Sequence, residues 1–198
     1  MKKSLSFIFA CLLLFTTATQ ADSGNSIYLA HIPLLTQHNK PAALDMYRGH
    51  PVLISMFYGS CPDVCPLLIM GMQGYERQLD ATSQKNLRTL VVSFDAARDT
   101  PAQLQAIATM HHTDGRYWMF ASADEINART LAALLGIQYR HKPDGTFDHS
   151  VLITLLDSDG KIIASTGKLN GDGAFIAALR KATASHPANS SEMYSSPP

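Results

Sequence analysis

An α/β fold, with a mixed central sheet flanked by helices, follows from three features of the 198-residue sequence. Short apolar runs rich in strand formers alternate with stretches of helical periodicity, the pattern of parallel βαβ units. That alternation then gives way to two strand-like runs joined by Asp157-Ser158-Asp159-Gly160, a tight-turn composition that an antiparallel hairpin requires. A final helical stretch closes the chain.

The first 21 residues place Lys2 and Lys3 before an apolar run, Leu5 to Phe15, and end in small and polar residues at Ala21. This order predicts a secretory signal peptide over residues 1–21, cleaved after Ala21. The apolar run is about half of the roughly 20 residues that a membrane-spanning helix needs, and a chain that retained it would stay tethered to the membrane. Cys11 lies inside the run and reads as an ordinary apolar residue, because bulky Phe9 makes a poor lipoprotein-processing site. Export then leaves Cys61 and Cys65 as the only thiols, in a compartment where they can oxidise.

About 177 residues remain, enough for one domain with a substantial core, placed at 22–185. Without Lys2 and Lys3 the chain has 14 basic against 16 acidic residues, so neither nucleic acid nor an anionic membrane surface has any charge to attract it. The Ser- and Pro-rich end, residues 186–198, lacks apolar periodicity and reads as a disordered tail.

Within the domain, residues 25–44 form a less regular extension expected to add short strands. Val52 to Tyr58, VLISMFY, is bounded by Gly49, Pro51 and Gly59 and reads as a buried strand. Pro66 suits the first position of a helix whose apolar stripe is Leu67, Leu68, Met70, Tyr75 and Leu79, with Gly71 and Gly74 interrupting its middle. Leu87 to Phe94 is a second strand. After the polar loop DAARDT, Pro101 opens a helix that turns Leu104, Ile107 and Ala108 inward. Tyr117 to Phe120 reads as a strand and Asp124 to Leu135 as a helix stopped by Gly136. Val151 to Leu156 and Lys161 to Ser165 form the hairpin, and Ala174 to Ala184 the closing helix. Thioredoxin-like folds have this order of elements.

The chemistry concentrates where the first strand meets its helix, across GSCPDVC. Three intervening residues put Cys61 and Cys65 about one helical turn apart, so both sulfurs can face one side and either share a metal or close a disulfide. Cys65 directly precedes the proline that opens the helix, where unpaired N–H groups favour a thiolate. Pro62 and Pro66 restrict the loop. A purely structural disulfide is the alternative, although so short a loop gains little from closure. Of eight histidines, His149 is the best third ligand, because it stands directly before the strand VLITLL and can reach the end of the sheet that carries the cysteines. His111 and His112 are adjacent and cannot point the same way. Two thiolates and an imidazole favour copper(I), accept copper(II) with an added oxygen ligand, and bind zinc in vitro. Met70 and Met72 read as core residues rather than thioether ligands.

Three segments, YGSCPDVCP (58–66), SFDAARDTP (93–101) and DHSVLITLLDSDGKI (148–162), resemble the Sco/SenC copper chaperones in order and spacing, and the resemblance runs from about Ile32 to Arg180. It implies that Cys61, Cys65 and His149 bind one copper ion, with Asp95 at an acidic position beside the site. There Asp95 is expected to orient the metal loop or a partner, or simply to bond its own loop. Arg98 and Asp99 read as loop-organising residues. Ala96 replaces a proline common in relatives, and residues 36–40 replace an acidic, glycine-containing turn, so partner-facing loops differ. The implied function is a periplasmic metallochaperone, not an enzyme, and a metal site on a loop that makes weak, transient contacts predicts a monomer. It takes copper from a donor chaperone and passes it to the apo copper-centre subunit of cytochrome c oxidase or another periplasmic copper protein. The alternative is a thiol–disulfide oxidoreductase using the Cys61–Cys65 pair as a redox disulfide to keep the target's cysteines reduced. A peroxidase would need an activating arginine beside the pair, and none adjoins it in sequence.

Overall fold

The computed structural model describes residues 26–61 and 64–184, without the side chain of Val64. The expected signal segment with Cys11, the tail at 186–198 and the restriction by Pro62 lie outside the described residues.

The amino-terminal extension holds a short 3-10 turn, Ile27–Ala30, and two strands, β1 (Pro33–Thr36) and β2 (Pro41–Ala43). A second turn, Leu44–Tyr47, leads to β3 (Val52–Phe57), buried along its whole length as VLISMF predicts. Helix α1 (Val64–Glu76) starts before Pro66, so the proline falls in the first turn, where its missing N–H has no partner to lose. The buried stripe of α1 is Cys65, Leu68, Ile69, Met72 and Tyr75. Helical spacing counted from Cys65 selects these residues, whereas Leu67 and Met70, expected inside, are exposed. Gly71 is explained by close packing: a Cβ there would lie 2.9 Å from the Leu169 carbonyl oxygen.

A short helix that the apolar pattern does not announce, α2 (Ala81–Asn86), is capped by Asp80, whose carboxylate accepts from the Thr82 and Ser83 amides. There follow β4 (Arg88–Ser93), α3 (Pro101–Met110) with Thr100 as its cap, and β5 (Trp118–Ser122). Leu104 and Ala108 of α3 are buried, as its spacing requires. Helix α4 (Glu125–Leu135) begins at the Asp124 cap and ends at Gly136 in the left-handed conformation. A second departure from the sequence reading comes next. Tyr139–His141 (β6) and Phe147–His149 (β7) form a two-stranded antiparallel sheet of their own. Strands β8 (Ile153–Leu156) and β9 (Ile162–Thr166) make the expected hairpin, and α5 (Gly173–Ala184) closes the fold.

The main sheet has seven strands in the order β2-β1-β5-β4-β3-β8-β9. Strands β3, β4 and β5 are parallel, and β8 runs antiparallel to β3 with Ile54 opposite Thr154. This topology positions the site. The loops leaving β3 and β4 emerge at one rim, and the antiparallel β8 begins at that same rim, so the residues before it arrive beside the cysteine loop. Phe57 and Phe120, both fully buried, meet edge to face at 6.0 Å in the centre of the sheet. Among the described residues no helix is long and apolar enough to cross a membrane.

Candidate metal centre

Cys61 leaves the end of β3 in a loop whose amide bonds back to the Tyr58 carbonyl, and Cys65 sits in the first turn of α1, its N–H 3.4 Å from the Cys61 sulfur. No disulfide joins the two sulfurs. Cys65 is 3% exposed and Cys61 9%. Burial outweighs the helix N-terminus here: it pushes the Cys65 thiol well above its ordinary pKa, against the opposing hydrogen bond from the Tyr58 backbone. The thiolate expected from sequence is therefore disfavoured until a cation replaces the proton.

His149 ends β7 and brings Nε2 to 3.7 Å from the Cys65 sulfur. Its Nδ1 faces the Ser150 carbonyl at 3.2 Å, and a carbonyl can only accept. Nδ1 thus carries the proton, leaving the Nε2 lone pair directed at the thiols. The two sulfurs and one imidazole nitrogen all lie within 4.8 Å of one another, the one such His/Cys/Asp/Glu group among the described residues. Ion–ligand bonds of about 2.0–2.3 Å would hold such atoms roughly 3.5–4.6 Å apart, so the donors need move little to share one ion. A two-thiol, one-imidazole set fits a soft metal such as copper(I).

Aromatic rings wall this set. Tyr58 and Phe94 stand against the His149 ring at 5.7 and 5.5 Å, and Phe147 touches both at 5.1 and 5.0 Å. Tyr139 stacks on Phe94 at 4.5 Å. This apolar wall restricts water around the donors and fixes the imidazole plane. Sequence reasoning did not assign it, although Tyr139, His141, Phe147 and His149 alternate across Asp144-Gly145, a hairpin signal.

Asp95 is buried but does not approach the sulfurs: its carboxylate pairs with Arg98, and its carbonyl accepts from the Arg98 and Asp99 amides. The contact to the cysteine loop is made by Asp99, which accepts from the Gly59 N–H at 2.7 Å and from the Ser93 hydroxyl. Gly59 admits this approach because a side chain there would collide with Asp99 and come within 2.9 Å of Ile107. Of the other residues singled out, His111 ends α3 with its carbonyl bonded to Gln73, Met72 is core, and Met70 is exposed.

Burial raises the Asp99 pKa above the usual carboxylate range, against the bonds from Ser93 and Gly59. A carboxyl raised in the folded state stabilises the fold below its unfolded pKa and loses that contribution as pH rises through the folded value. Asp99→Asn can accept the same two bonds without this loss. Its stability relative to the wild type should increase as pH climbs from about 4 toward neutrality, measured by urea unfolding; a gap that shrinks instead would show Asp99 to be stabilising as an anion.

The SCO1/SenC family model matches residues 20–184. This chain belongs to the SCO1/SenC family. Copper-bound ScoI of Bradyrhizobium japonicum is 25% identical, with a TM-score of 0.64 over 76% of this chain and 96% of that one. Copper-bound yeast Sco1, at 18% identity, shares the fold with a TM-score of 0.65 over 83% of this chain and 93% of its own. Mitochondrial SCO2 of Saccharomyces cerevisiae is 24% identical over 163 residues, 78% of this chain and 54% of that protein, so the chain spans about half of that relative's length. The thioredoxin-like fold expected from the element order is thus the fold of this SCO1/SenC member.

Proposed function

We propose that this SCO1/SenC protein is a copper carrier that works outside the cytosol and hands its cargo to an apo-protein by ligand exchange. The observation that carries the reading is the convergence of Cys61, Cys65 and His149 at one rim of the sheet, with their donor atoms within 4.8 Å. We assign these three as the ligands. Cu(I) is the cargo that best suits two thiols, and Cu(II) would require an added oxygen donor. Uptake displaces the thiol protons, because burial keeps Cys65 protonated until the cation arrives. Three protein ligands leave a position open for an incoming thiolate of the recipient.

The copper-bound relatives support the cargo, and family membership supports cytochrome c oxidase assembly as the setting, with an apo copper-centre subunit as recipient and another chaperone as donor. The signal-like first 21 residues support export to the periplasm, with tethering if they are retained. We infer a monomer making transient contacts, since a cargo site at a rim must open to successive partners. A second reading rests on the dithiol pair. Oxidation of Cys61 and Cys65 to a disulfide would deliver two electrons and two protons to a recipient's disulfide.

Anaerobic titration of the reduced chain separates the two. One Cu(I) per chain, transferred to an apo-recipient by the wild type and lost in transfer by His149→Ala with thiol exchange intact, is the expected result. A chain that binds no copper yet exchanges disulfides would establish the oxidoreductase instead.

A further inference from the structure

The imidazole and the thiols stand on separate pieces of the fold. Both cysteines flank the rim of the seven-stranded sheet, whereas His149 belongs to the β6–β7 ribbon, which shares no ladder with that sheet. A two-stranded ribbon is marginal by itself, so something else must hold His149 over the sulfurs. The aromatic wall holds the base of the ribbon. The far end, the turn at Asp144-Gly145, is held by Arg98. Its Nη2 donates to the Gly145 carbonyl at 2.6 Å, its Nε bonds the Asp95 carboxylate, and the guanidinium lies 5.8 Å from the Phe147 ring.

Arg98 is itself anchored to the cysteine loop. The Asp95 amide donates to the Ser93 hydroxyl oxygen at 2.9 Å, the Ser93 hydroxyl donates to the Asp99 carboxylate, and Asp99 also accepts from the N–H of Gly59, two positions before Cys61. One continuous strap of hydrogen bonds therefore runs from the thiol loop through Ser93, Asp95 and Asp99 to Arg98 and the ribbon turn. We propose that Arg98 is a positioning residue that fixes the distance between the His149 imidazole and the cysteine pair, so that its loss converts a three-donor site into a two-thiol one. This rests on the copper-carrier reading, because it assigns the ribbon its use in that site.

The charge-assisted bonds are short, but the Arg98 side chain is 45% exposed and screened by water, so the low end of their usual strength applies. Arg98→Gln should speed amide exchange across residues 139–149 by about tenfold without lowering cooperative unfolding elsewhere. Cu(I) stoichiometry should stay at one through Cys61 and Cys65, while the nitrogen hyperfine signature of the Cu(II)-loaded protein weakens. Arg98→Lys, which keeps the charge but not the fork that reaches two acceptors, should restore part of both readouts, and Asp95→Asn should reproduce the loss without adding to it in the double variant. Arg140→Gln removes an exposed ion pair with Asp148 inside the ribbon and should change neither. Unchanged exchange and an unchanged nitrogen signature in Arg98→Gln would overturn the proposal. A wild type that binds no copper would defeat the carrier reading alone, with the exchange comparison still deciding whether Arg98 holds the ribbon.

Discussion

Cys65→Ser is expected to weaken Cu(I) binding by more than about a hundredfold. Changes in the groups that merely orient metal ligands already cost roughly 10–100-fold, and this substitution removes a soft donor outright. Serine is close to isosteric, so the first turn of α1 should persist, and the buried hydroxyl has the neighbouring Tyr58 amide in reach of the same position. The measurement is competition against a chromophoric Cu(I) chelator, with circular dichroism to verify the fold. Binding within tenfold of wild type would show that Cys65 is not a ligand and would return the pair to thiol exchange.

The largest expected effect on stability is in the packed centre of the sheet. Phe120→Ala removes a fully buried ring that meets Phe57 edge to face and lies 6.2 Å from the Trp118 ring. Truncating a core phenylalanine costs about 3–5 kcal/mol through lost transfer energy and the cavity left behind. For a domain of this size that lowers Tm by about 10 °C or more in thermal unfolding. A shift below about 3 °C would mean that the sheet collapses into the gap far better than its packing implies.

The elements that the sequence announced are those marked by strand-forming runs and by punctuation. VLISMF between Pro51 and Gly59 became β3, Gly136 stopped α4, and Asp157–Gly160 closed the β8–β9 hairpin. Helix α2 was missed because ATSQKN has no apolar period, its only signal being the Asp80 cap. The cysteines were legible from spacing, and His149 from its place before a strand. The ribbon that carries His149 was fainter, since its strands are only three residues long and the alternation across Asp144-Gly145 is its one signal. The protonation of Cys65 is hidden for a different reason: helix position is visible in sequence, but the depth of burial that opposes it is not. The Arg98 link is illegible in principle, because its acceptor is a backbone carbonyl 47 residues away.

The packed centre and the rim of the sheet can be altered independently. Phe57 and Phe120 bear on what fraction of molecules is folded, while Cys61, Cys65 and His149 form the donor cluster to which the proposed carrier function is assigned. On the copper-carrier proposal, variants of the two groups will therefore look alike in a living cell, where both reduce total copper delivered. They will part when delivery is normalised to folded protein: core variants should then recover full capacity per molecule, and rim variants should not.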